Sequence, residues 1–120
     1  MRRAHLTLGL VFVAVFLATG AFMRLRFPGA YQGDPTMRML FRSAHIYILL
    51  SALMNVMAGL YMQGRTGRLQ TIGSVLLLLA PVLFLLAFTI EPAPARVYRP
   101  FAELGAVSAA VGTIFHLIGR

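Results

Sequence analysis

Few side chains in this sequence could do chemistry. There are three histidines (His5, His45, His116), three acids (Asp34, Glu91, Glu103) and eleven basic residues, all arginine, with no cysteine. Without cysteine there is no thiolate nucleophile, disulfide or iron–sulfur ligand. Imidazoles on facing helices can hold a haem iron or another metal, so the histidines are the first candidates. His5 and His116 are expected on one side of the molecule and could meet, although two nitrogens without a third ligand make a poor metal site. His45 and His116 belong to parallel helices, near the start of one and the end of the other. At 1.5 Å per residue they should be on the order of 20 Å apart, too far to share a ligand. No metal or other cofactor is expected.

A second group is Arg38, Arg42 and His45, which repeat at i, i+4 and i+7. On a helix this spacing makes one stripe, suited to an anionic lipid headgroup or to the carboxylate or carbonyl of a ligand. A third is the set of small and polar residues Ser51, Asn55 and Gly59, matched downstream by Ser108 and Gly112. Small residues at helical spacing allow close helix approach, and hydroxyl and amide groups among them can form interhelical hydrogen bonds or line a polar pocket. Glu103 is expected to favour the start of its helix and to pair with Arg99 at i, i+4. The pairs Met37–Met39 and Met54–Met57 read as apolar packing, because a soft-metal ladder would need more thioethers or a thiolate. The sequence displays no nucleophile–base pair, phosphate-binding loop, metal triad or buried acid, which points away from an enzyme.

These residues sit in a chain of 120 residues that is 59% hydrophobic and only 12% charged. A soluble domain is about a quarter charged. The apolar residues fall into four blocks, about 6–23, 44–62, 71–90 and 101–118. Each approaches the roughly 20 residues that a helix needs to cross a hydrocarbon core. Strands of a membrane barrel would alternate in polarity over about ten residues, which these blocks do not. The expectation is an all-α, integral membrane four-helix transmembrane bundle with up-down topology, forming a single domain. Thr19–Gly20–Ala21 has the small residues of a signal-peptide cleavage site, but the run before it is long and ends in arginines, so an uncleaved first span is expected.

The breaks between blocks carry turn and capping chemistry. Pro28–Gly29 and Gly33–Asp34–Pro35 interrupt the first connection, Gln63–Gly64 and Gly67 the second, and Pro92, Pro94 and Pro100 the third. Asp34–Pro35 resembles a helix start, so the second helix is expected to begin near Pro35, ahead of its apolar block. Pro81 falls mid-span in the third block, where a kink is expected. The side holding both termini carries Arg2, Arg3, Arg65, Arg68 and Arg120, and the other side Arg24, Arg26, Arg38, Arg42, Arg96 and Arg99. Such a near-balance of arginines gives only a slight lean towards cytoplasmic termini, and it permits dual topology with an antiparallel homodimer.

The formal charge of +8 raises the question of nucleic acid. The arginines stand singly or in pairs beside apolar blocks, with no basic stripe or aromatic platform, so membrane lipids are the expected partners and nucleic acid is not. In length and span count the chain is similar to the small multidrug resistance transporters, whose first helix carries an embedded glutamate; Leu6–Met23 contains no acid, so that likeness implies no proton carrier here. The favoured expectation is a non-enzymatic accessory or interaction subunit of a bacterial inner membrane. It would be a homo-oligomer or part of a larger complex, joined through the small faces of helices two and four. Two alternatives stand beside it: a small transporter with a polar site between those helices, and a haem- or quinone-binding redox subunit.

Overall fold

In the computed structural model, the described residues (1–62, 67–93 and 98–119) form four α-helices and no strand. These are α1 (Arg2–Ala30), α2 (Pro35–Tyr61), α3 (Arg68–Ile90) and α4 (Pro100–Ile118). All four are long and apolar enough to cross a membrane. The breaks expected at Gln63–Gly64 and Pro94, and the arginines at 65, 96 and 120, lie outside the described residues.

Local chemistry sets most of the helix ends. Asp34 caps α2, its carboxylate accepting from the Met37 amide at 3.0 Å, with Pro35 following as the first helical residue. The expected start near Pro35 is therefore found. Pro28–Gly29, by contrast, does not break α1, which continues to Ala30. A proline there removes only one donor, in the last turns of the helix, and Arg24, whose carbonyl it frees, is exposed, so that carbonyl is not trapped in a core. The first connection is thereby reduced to residues 31–34.

Consecutive helices pack antiparallel in the order α1–α2–α3–α4, with α1 also touching α3. The result is a flattened body with principal dimensions of 52 × 26 × 15 Å. Buried positions are rich in small residues such as Ala44, Ser51, Ala52, Gly59, Gly73, Ser74, Ala80, Ala87, Gly105 and Gly112. Large aliphatics such as Leu17, Ile46, Leu53, Ile72, Val75, Leu104 and Val107 point outward. Close backbone approach at these small residues joins the helices alongside an apolar core that includes Phe12, Phe41, Ile48, Phe84 and Phe88.

The small residues mark two seams. A Cβ on Gly59 would lie 2.7 Å from the Leu6 backbone nitrogen, and one on Gly9 would lie 2.8 Å from that of Val56, so α1 and α2 meet backbone to backbone. A Cβ on Gly112 would lie 2.9 Å from the Gly73 carbonyl, which sets the same closeness between α3 and α4. Each small face is used on a sequence neighbour, and α2 and α4 share no packed seam. A small face fits any close neighbour, and short connections deliver the adjacent helix first.

Aromatic packing fills the other end of the molecule. Phe22, Phe27, Tyr31, Phe41 and Phe88 form a chain of ring contacts with centroids 5.1–5.9 Å apart, tying α1, α2 and α3 together near the first turn.

Candidate functional site

Asn55 is the hub of the interior. It is the chain's single asparagine and is fully buried on α2. Its amide nitrogen donates to two carbonyls, Ser51 O at 2.9 Å in its own helix and Leu77 O at 2.7 Å on α3. Leu77 is four residues before Pro81, so its carbonyl is the one that the proline leaves without an intrahelical donor. Asn55 supplies that donor and joins α2 to α3 where α3 is weakest. An unsatisfied buried carbonyl would cost about 1–3 kcal/mol.

The same bonds fix the amide's orientation. With both nitrogen protons given to carbonyls, the Asn55 Oδ1 must accept, and its partner is His5 Nδ1 at 2.7 Å. His5 therefore carries its proton on Nδ1 when neutral. Its Nε2 is then an acceptor, buried and without a hydrogen-bond partner. His5 is fully buried, and its ring stands edge-on to that of His116 on α4 with centroids 6.5 Å apart. His5 and His116, which the sequence allows to meet, are adjacent in the structure, and Asn55 stands on the other side of His5. Arg2 closes this end by donating from Nε to the Gly59 carbonyl at 3.0 Å, one of the last carbonyls of α2.

Because α2 and α4 do not pack on each other, a groove of about 410 Å³ remains between them, floored by Leu77 of α3. Its α2 wall runs from Leu50 through Met54 and Met57 to Tyr61, and its α4 wall is Thr113, His116 and Leu117. Tyr61 stands eleven positions after Leu50 on α2, which is roughly 16 Å of groove at 1.5 Å per residue. The size lies within the usual range for small-molecule pockets, about 300–1,000 Å³. The lining is largely apolar, and its polar side chains are His116, Tyr61 and Thr113. Thr113 offers little, since its hydroxyl is committed to the Ala109 carbonyl at 2.8 Å.

The other sequence candidates are dispersed. Ser51 bonds back to the Ile48 carbonyl at 3.0 Å, and Ser108 crosses to the Leu76 carbonyl of α3 at 2.8 Å, so the two serines do not face one another. Arg38 and Arg42 share a cleft, but His45 turns away from them. Its ring stacks on Phe16 of α1 (centroids 4.0 Å apart, 15° between planes) and its Nδ1 lies 2.8 Å from the Thr19 hydroxyl. The i+7 position has rotated past the arginine stripe and into the α1–α2 seam, where Gly20 leaves room for a ring.

Glu91 is the residue that sequence reasoning missed. It follows α3 and is fully buried. One carboxylate oxygen accepts from the Phe101 and Ala102 amides, capping α4 from outside that helix. The other pairs with Arg99 Nε at 3.3 Å, and Arg99 continues to the Ser43 hydroxyl and the Leu40 carbonyl on α2. The expected Arg99–Glu103 pair is therefore replaced by Arg99–Glu91, and Glu103 is exposed. A buried acid is present after all. The available signal was a lone carboxylate at the end of an apolar block, nine residues ahead of a helix start with no capping side chain of its own.

The chain matches no protein-family model, no curated protein and no solved structure.

Proposed function

We propose that this chain is a multi-pass protein of a cell membrane, expected to be the bacterial inner membrane, and that it binds a lipid-soluble ligand in the groove between α2 and α4. The membrane reading rests on large aliphatics facing outward on every helix while glycine, alanine and serine face inward. Lipid is the solvent in which that arrangement is stable. The role proposed for it is one of binding.

The observation that carries the ligand reading is the groove's polarity. It is apolar along its length and ends at His116, whose ring abuts His5 held by Asn55. This pattern suits a molecule with one long apolar chain and a small head that hydrogen-bonds to imidazole, the chemistry of an isoprenoid quinone or alcohol. It joins the earlier transporter and quinone alternatives in one site and moves that site from a Ser51–Ser108 face to His116.

A short-tailed benzoquinone, decylubiquinone, and its quinol are suitable probes, with binding read by native mass spectrometry of the protein in mild detergent. Ala58→Phe fills the groove from the α2 wall and His116→Phe removes its polar end. Each should weaken probe binding at least about ten-fold, or ~1.4 kcal/mol. If neither probe binds the unmodified protein, or if Ala58→Phe leaves binding intact, the reading fails.

A further inference from the structure

A separate cleft of about 450 Å³ lies at the opposite end of α2, lined by Pro35, Arg38, Met39, Arg42, Ser43 and Ile46. Arg38 and Arg42 are one helical turn apart, and both guanidinium carbons lie 5.9 Å from the centroid of the same Phe27 ring. Like charges at this spacing repel each other along a helix. Among the described residues no carboxylate pairs with either one, because Glu91 is taken by Arg99 and Asp34 caps α2. The Arg38 Nε is buried and has no hydrogen-bond partner. Ser43 adds no repulsion and no proton, since its hydroxyl donates to the Leu40 carbonyl and accepts from Arg99. Two uncompensated guanidiniums, one with an unmet donor facing no protein acceptor, describe half of an anion site.

The missing half has a recognisable chemistry. Guanidinium pairs match the oxygens of phosphate, and the site lies within the first turns of α2, close to where headgroups meet a helix that enters a membrane. The apolar part of the cleft continues along α2 as Met39 and Ile46, both largely exposed. A free anion would have no use for that apolar wall. We infer that Arg38 and Arg42 bind the phosphate of an anionic phospholipid, whose acyl chain follows Met39 and Ile46 down the helix. This site is independent of the α2–α4 groove, and either could exist without the other.

The test uses the full chain, delipidated in a neutral detergent, with native mass spectrometry as the readout. Phosphatidylglycerol should bind at least about ten-fold tighter than phosphatidylcholine of the same chain length, and Arg38→Gln/Arg42→Gln should abolish that preference. Arg42→Gln alone, at an exposed position, should lower it several-fold with helix content unchanged by circular dichroism. Arg24→Gln/Arg26→Gln removes two exposed arginines from the same end and should alter binding by less than about two-fold. Equal loss in that control would mean a diffuse field instead of a site and would overturn the inference. So would equal binding of the two lipids, or inorganic phosphate binding as tightly as the lipid, which would assign the cleft to a free anion.

Discussion

The two ends of the molecule hold polar clusters of opposite character. At the end of the α3–α4 connection, Glu91 and Arg99 are charged and saturated. The carboxylate accepts from two amides and one guanidinium, and that guanidinium reaches on to α2. At the other end, Asn55 holds His5, whose buried Nε2 has no hydrogen-bond partner, and the His116 ring stands edge-on to it. A buried charge pair in which every partner is provided holds structure and offers little to a ligand. A hydrogen-bonded amide and imidazole with one acceptor left over on His5, beside an apolar groove, are suited to recognition and contribute less to holding the fold. The comparison teaches that burial of polar groups has two uses in one small fold, and that hydrogen-bond completeness separates them.

The sharpest way to break the comparison is Glu91→Ala. It strands Arg99 and uncaps α4, and should cost about 3–5 kcal/mol in detergent unfolding. Glu91→Gln keeps an oxygen for the two amides and should lose clearly less. Were alanine and glutamine to cost the same, the charge pair would not be what secures this end.

Packing comes next in size. Gly59→Val and Gly112→Val force side chains into facing backbone and should each cost about 1–3 kcal/mol, whereas Gly29→Ala, with nothing within 4 Å, should be close to neutral. Comparable midpoints for all three variants would contradict the backbone seams.

The Asn55 link calls for a double-mutant cycle. Asn55→Leu should destabilise the protein, yet less so in a Pro81→Ala background, where the new amide at position 81 can satisfy the Leu77 carbonyl. A coupling of about 0.5–2 kcal/mol is expected. A coupling of zero would mean that the asparagine does not answer for the proline.

The smallest effect should be that of His5→Phe. It gives up one hydrogen bond to Asn55 but also removes a buried unpaired nitrogen, so its net cost should stay under about 1 kcal/mol. If it proved as damaging as Glu91→Ala, the division between a structural end and a recognition end would be lost.

Several features were legible along the chain because they depend on near neighbours in sequence. Asp34–Pro35 announces the start of α2 through an N-cap and a proline whose fixed φ suits the first helical position. The apolar blocks predict four helices, since only a continuous helix satisfies its own backbone without water. Pro81 is legible as a mid-span proline that should kink its helix, whereas the Leu77 carbonyl it leaves needing a donor is seen only in the structure. What could not be read was the identity of the donor, which is supplied from 22 residues away on another helix.

The sequence by itself determined how many helices form, where α2 begins, and that glycine and alanine stripes would be contact faces, because periodicity, capping and backbone propensity act over a few residues. Only the tertiary structure decided which stripes meet. It joined α1 to α2 and α3 to α4, opened the groove between α2 and α4, turned His45 from the arginines towards Phe16, and chose Glu91 over Glu103 for Arg99. The physical reason is that small residues permit close approach to almost any neighbour and so carry no address. The address comes from connection length and from a few buried donors and acceptors that must find partners on other helices.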